Sequence, residues 1–146
     1  MDVIKSERGY TFVEMLIVLF IVMSLSTIVV KYSLKAEETR ELERFFTQIQ
    51  LDIQYIQTNS MHQREYISMK FDSSSKRYII KKDIFTVLYE RPFPKGVEFM
   101  PTMSSIYTIM YNFNGNVITP GTVSFKTSQG IKKVVITLGR GRSRVE

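Results

Sequence analysis

The chain has 146 residues, a formal net charge of +6, a hydrophobic fraction of 44% and no cysteine. This length leaves room for one modest domain beyond a membrane segment and excludes a second. The missing cysteines exclude disulfides, thiolate metal sites and thiol nucleophiles, so packing must hold the folded part together.

Residues 1–9 carry Asp2, Lys5, Glu7 and Arg8 and sum to zero, which leaves the positive excess to the rest of the chain. Residues 10–30 then form an apolar run whose one full charge is Glu14. At ~1.5 Å per residue, a helix of that length crosses a hydrocarbon core of about 30 Å. An acidic side chain near the centre of such a helix costs roughly 2.5 to 3.5 kcal/mol, less near its end, and calls for a cationic partner. No Lys or Arg lies inside the run, and Arg8 precedes Glu14 by six positions. A cut after Gly9 would supply the partner by placing a free amine on Tyr10, about one helical turn from Glu14.

Two other readings of this segment compete. A cleaved secretory signal would use Ser24-Leu25-Ser26 as its processing site, yet the apolar run continues through Ile28, Val29 and Val30. A plain membrane anchor would leave Glu14 reaching for the interface.

Beyond the span, Leu42, Phe45, Phe46, Ile49, Ile53 and Ile56 recur at intervals of three and four, with Glu37, Glu38, Arg40, Glu41, Glu43 and Arg44 on the other faces. Neither Pro nor Gly interrupts residues 10–60, so the spacing predicts one helix that continues from the membrane segment. Ser24, Ser26 and Thr27 are its soft spots. After Asn59 and Ser60 the pattern turns to strands: residues 66–71 alternate, Asp72 to Ser75 read as a turn, and residues 77–80 return. Further strands are expected at 84–89, 107–113, 122–125 and 131–138, between segments rich in Gly, Pro and Asn. The expected fold is α+β, a long N-terminal helix packed on a C-terminal antiparallel sheet, with the apolar stripe covering one face of the sheet.

The leader ending in Gly9, followed by Tyr10-Thr11-Phe12-Val13-Glu14 and an unbroken apolar helix, resembles the class III signal of type IV pilins and pseudopilins. The departure is Tyr10, where Phe is commoner. The resemblance implies four parts: a leader at 1–9, a membrane and filament-core helix at 10–31, an amphipathic helix at 32–60, and an antiparallel sheet domain at 61–146. It also implies that a prepilin peptidase cuts between Gly9 and Tyr10 on the cytoplasmic side and methylates Tyr10. Glu14 then becomes the assembly contact to the amino terminus of an adjacent subunit. The short leader, small domain, missing cysteines and strand pattern most resemble ComGD-type minor pseudopilins of the Gram-positive competence pilus. That likeness implies other pseudopilins, an assembly ATPase and a membrane platform protein as partners, membrane lipid before assembly, and an exported domain at the cell surface. A minor pseudopilin of a type II secretion system or of a type IV pilus shares all these residue arguments. A membrane-anchored module that never polymerises and holds an anionic ligand is the rival of another class.

Catalytic patterns are scarce. His62 is the single histidine, the serines lack a nucleophile elbow, and Gly139-Arg140-Gly141-Arg142 lacks the spacing of a phosphate loop. The chain reads as a structural and interaction protein with no catalytic residue, cofactor or metal. Charge is the remaining pointer to a ligand: residues 60–146 hold fourteen basic and six acidic side chains, a net +8. Lys132, Lys133, Arg140, Arg142 and Arg144 cluster near the C-terminus and are the candidate contacts to DNA or another anion. Lys76, Arg77, Lys81 and Lys82 flank the first hairpin, where Tyr78 and Tyr107 would add stacking surfaces. A solvated basic surface with a ragged tail is the plainer account of the same charges.

Overall fold

A computed structural model describes residues 11–83, 85–139 and 141–146. A long α-helix, α1, runs over Phe12–Gln63. By internal contacts the chain divides between Thr39 and Arg40. The N-terminal unit is the first part of α1, whose side chains from Phe12 to Leu25 stand exposed along the helix.

Among the described residues, the C-terminal unit joins the rest of α1 to eight strands. Strands β1 (Ile67–Asp72), β2 (Arg77–Lys81), β3 (Val87–Pro92) and β5 (Thr108–Tyr111) form a sheet in the order β3-β2-β1-β5. Strands β4 (Glu98–Phe99), β6 (Gly121–Thr127), β7 (Gly130–Ile136) and β8 (Ser143–Val145) form a second in the order β4-β6-β7-β8. All named pairings are antiparallel. The expected sheet is thus present as two four-stranded antiparallel sheets, and the helix-on-sheet architecture stands.

The hairpin forms as the alternation predicts, with Asp72 opposite Arg77 and Ser68 opposite Lys81. Its turn is held by the Asp72 carboxylate, which accepts the Ser74 N–H at 2.9 Å. Hydrogen bonds from Ser75 and Ser74 keep the Asp72 carboxyl below its ordinary range. The third strand begins later than expected. Asp83 accepts the N–H groups of Phe85 and Thr86 at 2.7 and 2.6 Å and the Thr86 hydroxyl at 2.9 Å, and β3 starts only at Val87. Ile84 lies outside the described residues. The C-terminal stretch read as a ragged tail instead forms β8, opposite Val134, Val135 and Ile136.

Leu42, Phe45, Phe46, Ile49, Ile53 and Ile56, the whole stripe expected on the helix, are buried. Phe125 of β6 forms the aromatic centre beneath them, with the rings of Phe45, Phe46, Phe71, Phe93 and Phe99 at centroid distances of 5.5 to 6.0 Å. Mostly edge-on or tilted packing of this kind adds about 0.5 to 1.5 kcal/mol per pair beyond area burial. A core so rich in rings explains how the domain manages without cysteine.

Candidate functional site

Glu14 lies in the first turn of α1. Thr11 precedes the helix, and its side-chain oxygen accepts the Glu14 N–H at 3.3 Å, while its carbonyl accepts the Met15 N–H at 3.2 Å. Thr11 is therefore the N-cap and Glu14 the third helical residue, the Thr-x-x-Glu order of a capping box. Near the N-terminus the aligned peptide dipoles favour a carboxylate by about 0.3 to 1 kcal/mol in exposed settings. Part of what Glu14 costs an apolar segment is thus offset within its own helix turn. Gly9 and Tyr10, the expected cleavage residues, lie outside the described residues.

The helix that follows is long and apolar enough to cross a membrane, and among its described residues the apolar side chains here find no cover within the chain. The hydroxyls of Ser24, Ser26 and Thr27 donate to the carbonyls of Phe20, Val22 and Met23 at 2.8, 2.7 and 3.0 Å. These polar groups are satisfied inside the helix, as a lipid environment demands.

The basic residues near the C-terminus do not share one surface. Lys132 is half-buried and lines a cavity of about 370 Å³ with Leu42, Glu43, Phe46 and Val145. Lys133, its neighbour on β7, belongs to the opposite face and pairs its backbone with Glu146, two hydrogen bonds of 2.8 Å. Arg144 stands opposite Val135 and forms an ion pair with Glu146. Arg142 is exposed beside a cavity of about 630 Å³ that Gln54, Gln57, Met61 and Gly141 also line. Arg140 lies outside the described residues.

Of the cations around the hairpin, three are matched by carboxylates: Lys76 with Glu98 at 3.5 Å, Arg77 with Glu90 at 2.8 Å, and Lys82 with Glu65 at 2.6 Å. Tyr78 cannot serve as a stacking surface, because alternation along β2 turns it into the core, where it is fully buried. Tyr107 is half-exposed with its ring edge-on to Phe99. Among the described residues no group of three or more His, Cys, Asp or Glu converges as a metal site would require.

The most concentrated polar constellation among the described residues centres on Asp52, which the sequence analysis did not single out. Asp52, only 3% exposed, accepts the Tyr78 hydroxyl at 2.6 Å, the Arg91 Nε–H at 2.9 Å, the Gln48 amide at 2.8 Å and the Tyr89 hydroxyl at 3.2 Å. Burial, then the Asp52 carboxylate, raises Tyr78 and Tyr89 far above the ordinary phenol range. The network ties α1 to β2 and β3 and involves no group poised to react. A signal for it existed: Asp52 falls on the apolar stripe, three residues after Ile49 and four before Ile56. The Thr-x-x-Glu spacing was likewise legible around Glu14.

Residues 4–30 match the model of the prokaryotic N-terminal methylation motif, a range that holds Gly9, Tyr10, Thr11 and Glu14. No curated protein sequence matches the chain. The fold is similar to that of the type IV minor pilin FimU of Pseudomonas aeruginosa, solved in two crystal forms. One has a TM-score of 0.53 at 17% identity and is matched over 68% of this chain and 88% of FimU. The other has a TM-score of 0.54 at 15% identity, over 79% and 90% respectively. The chain thus carries a prokaryotic N-terminal methylation motif and a fold similar to that of a type IV minor pilin.

Proposed function

We propose that this chain is a minor pseudopilin, a structural subunit of a competence pilus assembled at the cell membrane and needed for uptake of external DNA. The observation that carries the coarse part of this reading is the coincidence of the methylation motif at residues 4–30 with a long helix packed on antiparallel sheets. In this reading a prepilin peptidase cleaves between Gly9 and Tyr10 on the cytoplasmic side and transfers a methyl group from a methyl donor to the new amine. Glu14 pairs with the amino terminus of the adjacent subunit. Residues 10–31 hold the subunit in lipid before assembly and pack in the filament afterwards, while residues 32–60 and 61–146 form the exported helix and domain at the cell surface. An assembly ATPase and a membrane platform protein supply the work, and the chain itself is not an enzyme. Other pseudopilins are its partners, and DNA is met through the exposed side of β7 and β8, where Lys133 and Arg144 project.

The second reading, a minor subunit of a type IV pilus or of a type II secretion system, is favoured by the fold likeness to FimU, a type IV minor pilin. A deletion strain separates the two. Loss of transformation with secretion and surface motility intact supports the competence pilus; unchanged transformation contradicts it. Complementation with Glu14→Gln should restore membrane levels of the subunit, leave the Thr11 cap in place and fail to restore incorporation into filaments. Full incorporation of that variant would refute the assembly role of Glu14.

A further inference from the structure

Of the outer edges of the two described sheets, three are poor templates for a further strand. Beyond β5, Tyr111 bridges to Val117 and the Ile118 N–H reaches the Met110 carbonyl at 2.8 Å. Strand β4 has two residues, and β3 ends at Pro92, which has no N–H to offer. Strand β8 is the edge that remains. Its backbone bonds Lys133 through Glu146 at one end and Thr137 through Arg142 at the other. Antiparallel pairing alternates, so Arg144 turns its backbone towards β7 while the N–H and C=O of Ser143 and Val145 point away from it, at the open edge.

This edge borders a trough whose other wall is α1. Val145 shares a cavity of about 370 Å³ with Leu42, Phe46 and Thr47, and Ser143 shares one of about 630 Å³ with Gln54 and Gln57. Helix and strand therefore run side by side in opposite directions, with a cavity towards either end of β8. Each cavity holds one cation, Lys132 in the first and Arg142 in the second. Glu43 also lines the first, yet among the described residues neither cation lies within ion-pair distance of a carboxylate. Arg144, on the other face, is matched by Glu146.

We propose that this trough takes an extended acidic segment of another protein chain, which joins the β4-β6-β7-β8 sheet as a strand beside β8 and sets carboxylates against Lys132 and Arg142. Backbone bonds to Ser143 and Val145 give affinity that does not depend on the partner's sequence, and the two cations select the partner. Lys132 lies past the Val145 end of the edge and Arg142 before Ser143, so the two acids stand about four to six positions apart on one face of the added strand. Between them an apolar side chain fits against Val145 and Phe46. A second copy of this chain offering its own β8 is a poor occupant: the symmetric antiparallel pairing sets Arg144 opposite Arg144, and like charges directly opposite destabilise a pair. A nucleic acid is a poor one too, because phosphates accept from the edge N–H groups but leave the edge carbonyls unanswered. The trough is built this way whichever assembly the chain joins, so its occupant does not depend on the reading as a competence pilus.

The test uses the full chain in detergent and two blocked synthetic peptides, Thr-Glu-Thr-Val-Thr-Glu-Thr and the same sequence with Lys for both Glu, each labelled for fluorescence anisotropy. The Glu peptide should bind more tightly than the Lys peptide by about tenfold and should slow hydrogen exchange at the Ser143 and Val145 amides. Val145→Pro removes an outward N–H without touching the bonds to β7, and should weaken the Glu peptide about fivefold. Lys132→Glu combined with Arg142→Glu should reverse the preference between the peptides. No binding of the Glu peptide, equal binding of the two, or full binding by a folded Val145→Pro chain overturns the proposal. Should the Pro chain fail to fold, the charge reversal decides: a reversed preference supports the proposal and an unchanged one overturns it. Displacement of the Glu peptide by a short single-stranded oligonucleotide at equal charge also overturns it, by making the trough a general anion site. So does a dimer of the chain that excludes the peptide, which would make the occupant a second copy.

Discussion

Replacing Asp52 by Ala removes the acceptor on which one helix and two strands converge. Tyr78 is completely buried, so its hydroxyl would lose its 2.6 Å partner with no water to replace it, at a cost of about 1 to 3 kcal/mol. Arg91 keeps 45% of its side chain exposed and would rehydrate, so its share is small, about 1 kcal/mol or less. Removing a buried carboxylate also recovers part of its own desolvation. The net expectation is a loss of about 2 kcal/mol, or roughly 10 °C in Tm for a domain of this size. Asp52→Asn keeps an acceptor oxygen and the side-chain volume and should lose about half as much. Denaturant unfolding of the full chain in detergent, followed by the near-UV tyrosine signal, measures both. Combined with Tyr78→Phe, the Ala variant should lose clearly less than the sum of the two single changes. A Asp52→Ala chain within about 0.5 kcal/mol of the parent would refute the idea that this carboxylate fastens the helix to the sheet.

Gly141 has φ +59, and a Cβ there would come within 2.4 Å of the Tyr111 hydroxyl oxygen, so Gly141→Ala should destabilise the domain by about 1 to 3 kcal/mol in the same unfolding assay. Raised tyrosine pKa values make the domain sensitive to alkali. Burial pushes Tyr111 up to about 12, so above pH 10 the unfolded chain ionises while the folded chain stays protonated, and stability falls as pH rises from 10 towards 12. The slope should approach ~1.4 kcal/mol per pH unit for each fully shifted tyrosine, less where the ring keeps some solvent, and be shallower in Tyr111→Phe. Stability measured against pH with that pair of proteins checks the sign as well as the size.

Features written in side-chain period were legible before the fold was seen. The stripe from Leu42 to Ile56 and the alternation of 66–71 with 77–80 each require a particular face to be buried, and each buries it. Features that depend on a single backbone hydrogen bond were not. Strand β4 has two residues, Glu98 and Phe99, and β8 has three, Ser143 to Val145, too few to show a period. The start of β3 was misplaced because the Asp83 carboxylate holds the N–H groups of Phe85 and Thr86, and such bonds leave no trace in hydropathy. A run of apolar residues fixes where a sheet face lies but not how many sheets share it, so two sheets look like one in the sequence. At the candidate site, Glu14 stood out because a charge in an apolar run is conspicuous. The basic residues of the C-terminus looked like one patch because sequence adjacency hides alternation: Lys132 and Lys133 face opposite sides of β7.

The mass and N-terminal sequence of the mature chain from its native membrane test the central claim most directly. The account predicts a chain that begins at Tyr10 with a methylated amine, so that the new positive charge lies one turn from Glu14. A chain that still begins at Met1, or one cut near Ser26, would contradict it.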